Sequence, residues 1–397
     1  MKRLTPSNIL CVLVLLILFV GGASMFLGEF VPFRSSSSPT PTPVTRLTYT
    51  ETIQNIQNRL DNSKDYLLGR QHFLELCGCF RRAAYQTQTD DVVLLRNGYL
   101  TNIIAPADPA AAQSYADSVI SFAQSTEKSG IPFLYIQVPQ KVSQYDDQMP
   151  PGQVSYINNN FDRHLFLLES GGVSTYDLRD AVQETGIDHY SLYFFTDHHW
   201  KMSSGLWAAE TIAQELNERY GFALDTSLLQ EEDYTHTTLK DWYLGSQGRQ
   251  VTAGYIAPDD FTYLTPNFET NFRVEHPDKG IDITGDFYQT MYDEEMLLTY
   301  DLYGQSTYES ILGGNRPITR ITNNSNPDGL KILLIHDSYS TAVMPFLALS
   351  CGEIHMIDVR DHAGNYTGNL DAYREETQPD IVIVMLCSPV DIDRSDG

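Results

Sequence analysis

Residues 330–340 read LKILLIHDSYS, and this stretch decides the fold class. The mostly apolar run 330–335 predicts a strand that is buried on both faces, as in a parallel sheet covered by helices. His336, Asp337 and Ser338 come directly after this strand, and a helix is expected from about Thr341. Functional groups of parallel sheets collect at the carboxyl ends of the strands, so Ser338 lies where a catalytic side chain is expected.

Strand and helix patterns alternate through the rest of the chain, which indicates an α/β domain with a mainly parallel sheet between two helical layers. Residues 92–100 contain an Asn-Gly pair and predict a hairpin. Residues 234–324 carry fewer helix signals and more Gly, Pro and aromatic residues, so an insertion of loops and short strands bordering the site is expected there. The predicted helices are 110–128, 160–169 and 205–220, and the predicted strands are 132–138, 173–178, 330–335, 353–359 and 381–386.

The N-terminal region has the pattern of a signal anchor. Lys2 and Arg3 precede an apolar run, residues 9–27, that contains no charged residue. A run of about 20 residues is long enough to cross the hydrocarbon layer as a helix, and the positive start directs the chain beyond residue 28 to the outside. We therefore predict a retained single-pass anchor in the cell membrane with the folded domain extracellular. Cleavage near Ala23 is the alternative.

A Ser-rich and then Pro/Thr-rich stretch, residues 35–43, comes after the apolar run. Such a sequence cannot pack and is typical of a stiff, extended spacer. The predicted organisation is an anchor over residues 1–28, a linker over 29–50 and an α/β domain over 51–397, with the insertion at about 234–324.

The composition excludes one class of partner. The 397 residues carry a formal net charge of −25, which repels nucleic acid and anionic lipid headgroups. Of the five cysteines, Cys11 lies in the apolar run, and Cys77 and Cys79 form a close pair with no second pair at zinc-finger spacing. The sequence therefore predicts no nucleic-acid partner, no zinc module and no cofactor.

Ser338 needs a base to act as a nucleophile near neutral pH, and the segment around residue 199 offers one. His199 can accept the hydroxyl proton, and Asp197, two residues earlier, can orient the ring and stabilise its charged form. Each segment alone has a structural interpretation, since serines cap helices and polar loops are often structural. The two segments together favour a Ser338–His199–Asp197 triad. Asp337 is expected to form structural hydrogen bonds and not to act as a second base.

The same two motifs resemble a known family. The Asp-His-His-Trp sequence at 197–200 and the His-Asp-Ser-Tyr-Ser sequence at 336–340 resemble the bacterial DHHW family, which is related to SGNH-hydrolase-like enzymes that O-acetylate alginate and other extracellular polysaccharides. The resemblance covers roughly residues 92–386 and includes matching stretches at 95–100, 138–141, 244–249, 312–315 and 357–360. Ordinary SGNH hydrolases place the serine before the Asp and His, and here that order is inverted.

This resemblance implies an SGNH-hydrolase-like three-layer sandwich with permuted motif order and an acyl-serine intermediate on Ser338. It further implies transfer of an acetyl group to a hydroxyl of a polysaccharide acceptor. The acyl donor of such enzymes is typically a multi-spanning membrane acyltransferase, which we therefore expect as a partner. A water acceptor would instead make the protein a carbohydrate acetyl esterase with the same triad.

Several further residues are candidates for binding the substrate or the oxyanion. The backbone N–H of Ser338 or Tyr339 lies close to the reacting carbonyl in this arrangement. For the remaining candidates, turn geometry and salt bridges are the structural alternatives. The remaining oxyanion candidates are Asn315 and the Gly245-Ser246 turn, the candidate contacts to anionic substrate are Lys141, Arg249 and Arg360, and His198 is a candidate structural or substrate contact.

Two other classes of function fit the same residues. Asp-His-His is a metal-binding sequence in other proteins, and a metal-dependent phosphoesterase would draw further ligands from His336, Asp337, Asp177, Asp180 or Asp358. A non-catalytic surface protein that scaffolds a polysaccharide-modifying complex is the other alternative. Metal content separates the first from a serine enzyme, and the effect of Ser338→Ala on acyl release separates the second.

Overall fold

The structure is a computed structural model that describes residues 69–360, 368–390 and 392. The predicted anchor and linker, the boundary at residues 50/51 and Cys11 lie outside the described residues. Within the described part, none of the helices combines the length and the apolar character needed to cross a membrane. The chain divides into two compact units, residues 1–84 and 85–397.

The described part of the first unit is one helix, α1 (Arg70–Ala83). Gly69 precedes it in the left-handed region, and Arg81 and Arg82 occupy its last turn, where positive charge favours the helix dipole. Cys77 and Cys79 lie on this helix as free thiols.

The three helices whose first and last residues were predicted all lie in the second unit. They are α2, α3 and α5, and each begins and ends within a few residues of the prediction, whereas α4 was not predicted. The helices are α2 (Pro109–Lys128), α3 (Ile157–Ser170), α4 (Leu178–Thr185), α5 (Met202–Tyr220), α6 (Ser246–Val251), α7 (Phe287–Met291), α8 (Glu294–Leu298), α9 (Met344–Leu347) and α10 (Leu370–Thr377).

The strands of the second unit form three sheets. The strands are β1 (Gln88–Thr89), β2 (Val92–Leu94), β3 (Leu100–Asn102), β4 (Phe133–Gln137), β5 (Thr175–Asp177), β6 (Tyr234–Tyr243), β7 (Asp259–Pro266), β8 (Phe272–His276), β9 (Ile281–Gly285), β10 (Ile318–Asn323), β11 (Lys331–His336), β12 (Glu353–Asp358) and β13 (Ile381–Leu386).

The main sheet has eight strands in the order β5-β4-β13-β11-β12-β10-β8-β9. From β5 to β12 all neighbours are parallel, as the apolar runs predicted. From β12 through β10 and β8 to β9 the neighbours are antiparallel. The parallel part thus contains β11, and its carboxyl edge presents Ser338.

Helices cover both faces of this sheet, which confirms the three-layer prediction. Along β11, Ile332 and Leu334 belong to one buried cluster, and Leu333 and Ile335 belong to another. The first cluster includes α5 and α9, and the second includes α2 and α10. The strand is apolar at successive positions because side chains alternate between two covered faces.

The predicted hairpin is present as β2 and β3, which pair antiparallel from Val92↔Asn102 to Leu94↔Leu100. The turn closes through a hydrogen bond from Gly98 N–H to the Leu95 carbonyl. Gly98 has φ 92°, a left-handed conformation that glycine adopts without steric cost.

The predicted insertion is more regular than expected. β6 and β7 form a separate two-stranded sheet, and at ten residues β6 is not a short strand. β8, β9 and β10 extend the main sheet instead of forming loops. The pattern in this region was misleading because many positions of β6 and β9 are exposed, so their apolar content is low.

Two local predictions were wrong at a boundary. The strand predicted over 173–178 ends at Asp177, because the Asp177 side chain accepts the Arg179 N–H and caps α4. The helix expected from Thr341 is a 3₁₀ turn (Ser340–Ala342) followed by the four-residue α9. A helix this short has little dipole, so it contributes little to the stabilisation of an anion at Ser338.

Candidate active site

The loop that carries Ser338 is fixed at the end of β11 by Asp337. Its carboxylate accepts the Tyr339 N–H at 3.0 Å and the Cys387 N–H at 2.5 Å. Cys387 directly follows β13, so Asp337 ties the ends of two adjacent strands together. Asp337 therefore acts as a structural hydrogen-bond acceptor, as predicted.

The second motif lies in a loop that closes with an antiparallel bridge between Tyr193 and Trp200. The Trp200 side chain is fully buried, and its Nε1–H donates to the Tyr339 carbonyl at 2.9 Å. This hydrogen bond joins the Asp-His-His-Trp loop directly to the serine loop. The tryptophan of the motif thus has a structural role.

The segment just before Asp197 is held by Asp259, which the sequence did not single out. The Asp259 carboxylate accepts the Phe195 N–H at 2.8 Å, the Thr196 N–H at 2.8 Å and the Thr196 hydroxyl at 2.6 Å. Burial raises the pKa of Asp259, opposed by these hydrogen bonds. Asp259 lies 64 residues from Phe195 along the chain, so no local pattern could reveal it.

The structure brings the three predicted catalytic side chains together. His199 Nε2 lies 2.8 Å from Ser338 Oγ, and His199 Nδ1 lies 2.7 Å from Asp197 Oδ1. An ionised carboxylate only accepts hydrogen bonds, so Nδ1 carries the proton and Nε2 is free to accept the serine hydroxyl proton. This is the tautomer that a general base requires.

Asp197 is buried and surrounded by donors. Its Oδ1 also accepts the His199 N–H at 2.9 Å, and its Oδ2 accepts the Ser246 N–H at 2.6 Å. Burial favours the neutral acid, but nearby His198 and His199 and the hydrogen bonds from His199 outweigh it and hold the pKa of Asp197 well below its usual range. Asp197 is therefore ionised at neutral pH.

The Gly245-Ser246 turn supports this carboxylate and does not form an oxyanion hole. The Ser246 N–H already donates to Asp197, and the Gly245 N–H donates to Thr196 Oγ1 at 2.9 Å. A Cβ atom on Gly245 would lie 2.2 Å from the Asp197 Cβ. The close approach of Asp197 explains why position 245 is a glycine.

His198 lies against the triad without joining it. Its Nδ1 is 3.0 Å from Ser246 Oγ and 3.2 Å from Asp197 Oδ1, and its ring centroid is 3.8 Å from that of His199. Burial and the neighbouring His199 lower the pKa of His198 to about 3, so it is neutral at pH 7. These contacts favour the structural role, although more than a third of the side chain is exposed.

Tyr308 is a site residue that sequence reasoning missed. Its ring stacks on His199 with a centroid distance of 4.0 Å and an interplanar angle of 15°. Its hydroxyl lies 3.4 Å from the Ser338 carbonyl. One tyrosine among 24 gives no sequence signal, because only the fold places it over the imidazole.

Of the two predicted backbone donors, only one is available for an oxyanion. The Tyr339 N–H is occupied by Asp337, which corrects the assignment of Tyr339. The Ser338 N–H has no hydrogen-bond acceptor among the described residues. The Tyr339 hydroxyl lies 2.5 Å from the His198 carbonyl and 3.0 Å from Gln140 Oε1, so this side chain braces the loop.

Lys141 is buried and forms its hydrogen bonds within the protein. It is 1% exposed, and its Nζ donates to the Leu100 carbonyl at 2.7 Å and to Gln247 Oε1 at 3.2 Å. The Phe195 carbonyl lies 3.5 Å away. Lys141 therefore links β3, α6 and the Asp-His-His-Trp loop, in line with the structural interpretation.

The other predicted contacts take no part in the triad hydrogen bonds. Arg360 forms a two-bond ion pair with Asp358, at 2.9 and 2.6 Å. Arg249 is half-buried on α6. Asn315 follows a glycine pair, and its side-chain oxygen is buried with no hydrogen-bond partner among the described residues.

Three of the residues that the metal-dependent alternative would use as ligands lie close together. Ligand atoms of Asp197, His198 and His199 lie within 4.8 Å of one another. The proposed additional ligands do not join this group among the described residues: Asp358 is bound to Arg360 and Asp177 to Arg179. Since metal-dependent phosphoesterases use several aspartates from neighbouring strand ends, this arrangement fits a serine site better.

Comparison with known families agrees with this geometry. Residues 99–247 match the family model of the SGNH hydrolase-like domain of the acetyltransferase AlgX, and residues 174–357 match the family model of DHHW proteins. The DHHW match contains both motifs and the AlgX match contains the first. The resemblance predicted from the two motifs is thus confirmed. No curated protein matches the chain in sequence.

Solved structures show the same fold. A DHHW family protein from Eubacterium siraeum superposes with a TM-score of 0.56 at 19% identity, covering 76% of this chain and 91% of its own. Bacillus cereus PatB1, solved with a sulfonyl adduct, superposes with a TM-score of 0.61 at 17% identity, covering 79% of this chain and 97% of its own. At these identities the likeness establishes the fold, which is SGNH-like.

Proposed function

We propose that this chain is an extracytoplasmic O-acyltransferase that transfers an acetyl group to a hydroxyl of a polysaccharide. The observation that carries the proposal is the unbroken hydrogen-bond line from Ser338 Oγ through His199 to Asp197, at 2.8 and 2.7 Å. The match to the SGNH hydrolase-like domain of an acetyltransferase supports the acyl chemistry.

In the first half-reaction, Ser338 Oγ attacks the carbonyl carbon of the acyl donor while His199 Nε2 takes the hydroxyl proton. The Ser338 N–H donates a hydrogen bond to the carbonyl oxygen and stabilises its developing negative charge. The intermediate collapses to the acyl-serine, and the leaving oxygen takes the proton from His199. Asp197 stabilises the charged imidazole throughout.

In the second half-reaction, a sugar hydroxyl gives its proton to His199 Nε2, and its oxygen attacks the acyl carbon. Collapse of this intermediate releases the acetylated sugar, and the proton on His199 returns to Ser338 Oγ. Water in place of the sugar would give the esterase reaction.

The cellular setting is part of the same proposal. The charge and hydropathy of residues 2–27 support a single-pass anchor that holds the α/β domain outside the cell membrane. A multi-spanning membrane acyltransferase that carries the donor across the bilayer is the proposed partner. The partner would deliver the acyl group to Ser338.

Mass spectrometry of the protein after incubation with p-nitrophenyl acetate tests the proposal. We expect an acetyl group on Ser338 in the wild type and none in Ser338→Ala or His199→Ala. Ser340→Ala is the matched control, since Ser340 is a buried serine of the same loop and should leave labelling intact.

Acetylation that persists in Ser338→Ala would refute the nucleophile. Stoichiometric Mn, Fe or Zn, with activity lost to a chelator, would favour the metal-dependent reaction instead. Labelling of Ser338 followed by release to water, with no transfer to any polysaccharide, would identify an esterase.

A further inference from the structure

The loop from Leu312 to Arg316 has an unusual backbone. Leu312, Gly313 and Gly314 have φ values of 53°, 66° and 79°, all in the left-handed region. A leucine in this region is strained, and strained residues persist where the surrounding structure holds them, often at ligand sites. The chain therefore maintains a costly shape at this position.

Two buried polar atoms in the same loop lack hydrogen-bond partners among the described residues. They are the side-chain oxygen of Asn315 and Nε of Arg316. Nearly all buried polar groups in folded proteins are hydrogen bonded, so two adjacent exceptions are unusual. A bound polar ligand beside Arg316, or its ordered water, would supply a partner for Nε of Arg316.

A cavity of about 400 Å³ opens beside this loop. Leu312, Gly313 and Arg316 line one side, and His276, Ile283 and Glu294 are among the residues that line the rest. Pockets of this size hold small-molecule groups. The lining combines hydrogen-bond donors, acceptors and apolar surface.

This cavity opens at the same edge of the sheet as Ser338. β8 runs parallel to β11, so His276 and His336 end their strands at the same edge. Leu312 is four residues from Tyr308, which covers the catalytic imidazole, so the two Cα atoms lie within about 14 Å of each other. One extended ligand can therefore occupy both places.

The charges in the cavity select against an anionic ligand. Arg316 supplies one positive charge, while Asp293 and Glu294 supply two negative charges. Burial and the nearby Arg316 lower the pKa of His276 to about 4, so His276 is neutral at pH 7. The carboxylates accept hydrogen bonds from hydroxyl groups, and the guanidinium donates to hydroxyl oxygens.

We propose that this cavity is an acceptor subsite that binds an uncharged, hydroxyl-rich sugar unit of the polysaccharide some units away from the acetylated one. Arg316 is the main hydrogen-bond donor to that unit, and Ile283 packs against it. This inference rests on the proposed function and specifies its substrate class.

Binding of neutral and anionic oligosaccharides to the full chain carrying Ser338→Ala tests the subsite. The probes are cellohexaose and chitohexaose as neutral chains and hexagalacturonate as an anionic chain, measured by calorimetry. We expect a neutral chain to bind and the anionic chain to bind at least about tenfold more weakly. Adding Arg316→Ala should weaken neutral binding about ten- to 100-fold, the cost of a lost hydrogen bond to a charged group.

A second variant acts by filling the cavity. Ile283 is 42% exposed, so Ile283→Trp can be accommodated without disturbing the core and should also abolish neutral binding. The control is Arg273→Ala, because Arg273 is an exposed arginine on β8 that pairs with Asp282 outside the cavity. It should leave binding unchanged.

Three results would overturn the subsite: no binding of either neutral chain, equal or tighter binding of the anionic chain, or unchanged affinity in both Arg316→Ala and Ile283→Trp. Acetyl labelling of Ser338 is scored separately in the wild type. Labelling without oligosaccharide binding therefore rejects the subsite alone, and absence of labelling rejects the proposed function.

Discussion

The carboxylate of Asp197 is the most constrained group at the residue scale. Three hydrogen bonds, from His199 Nδ1, His199 N–H and Ser246 N–H, point at its two oxygens within 2.9 Å. Each of these hydrogen bonds is stronger when the carboxylate is ionised than when it is protonated, which is consistent with the lowered pKa of Asp197. Protonation of Asp197 would therefore disrupt both the imidazole and the turn at Ser246.

Asp197→Asn tests this role. An amide at position 197 can donate to Nδ1 and so favours the tautomer with the proton on Nε2, which cannot accept from Ser338. We expect kcat for acetyl transfer to fall on the order of 10⁴-fold, and the free energy of unfolding to fall by about 1–3 kcal/mol, because the amide N–H₂ faces a buried N–H donor that the carboxylate accepted. Steady-state kinetics and circular dichroism provide the measurements. A loss below about tenfold would show that Asp197 does not orient the base.

Gly245→Ala tests the close contact behind Asp197. The added methyl would lie 2.2 Å from the Asp197 Cβ and must displace the carboxylate. A shift of about 1 Å at a catalytic group can lower the rate about 100-fold, so we expect a loss of that size in kcat. Gly304→Ala is the control, since the three atoms nearest to its methyl all belong to the end of the half-buried Asp301 side chain. Equal activity of the two variants would contradict the argument.

The sequence revealed the candidate catalytic residues but not the residues that hold them in place. Ser338 and His199 were found because few residue types can act as a nucleophile or as a general base near neutral pH. Asp259 accepts the Thr196 N–H at 2.8 Å, and Tyr308 stacks on His199. Both contacts depend on distances and orientations that only the tertiary fold sets. The Tyr339 N–H was wrongly predicted as an oxyanion donor, because the sequence does not reveal that this N–H donates to the Asp337 side chain.

At the scale of secondary-structure elements, Lys141 links β3, α6 and the Asp-His-His-Trp loop. It lies beyond the end of β4 and bonds to the end of the hairpin at Leu100 and to α6 at Gln247. Gln247 in turn donates to Asn102 Oδ1 at 2.6 Å. The position of the Asp-His-His-Trp loop thus depends on a buried lysine between a hairpin and a helix.

Lys141→Met tests this lysine through the pH dependence of stability. Burial lowers the pKa of Lys141 from 10.5 to about 7, opposed by Asp197 and Asp259. Between about pH 7 and 10 the unfolded chain therefore binds more protons than the folded one. The free energy of unfolding of the wild type should rise with pH in this window, by at most about 1.4 kcal/mol per pH unit, relative to the variant.

Urea denaturation at pH 7, 8 and 9 measures this difference. Below pH 7 the lysine is protonated in both states and contributes no further pH dependence. Lys279→Met, which removes an exposed lysine, should follow the wild-type curve. Parallel curves for wild type and Lys141→Met would show that the lysine keeps its ordinary pKa.

Elements with two covered faces were the most predictable. β11 and β13 were predicted within one residue, because a continuous apolar run of this length is typical of a strand covered on both sides. β6 and β9 were missed because their exposed positions carry polar residues, so each resembles a loop. A longer helix than α9 was expected after Ser338 because the sequence there is apolar. These residues are apolar because they are buried, and only four of them form α9.

At the scale of the whole molecule, the net charge and the predicted anchor have opposite effects on membrane association. A net charge of −25 repels the anionic headgroups of a membrane, so electrostatics alone would keep this protein away from the bilayer. In the prediction made from the sequence, the hydropathy of residues 9–27 would offset that repulsion. Association with the membrane is therefore predicted to depend on this run alone.

Deletion of residues 1–50 tests that dependence. The full chain should sediment with membranes and require detergent, since about 20 apolar residues insert in an effectively irreversible way. The truncated chain should remain in solution and keep its acetyl labelling of Ser338, because the triad and the supports described above all lie in the second unit. High salt should not release the full chain, which separates hydrophobic insertion from charge pairing. A full chain that is found in solution with an N-terminus near residue 24 would show that the segment is a cleaved signal, and the spacer would then have no membrane from which to hold the domain.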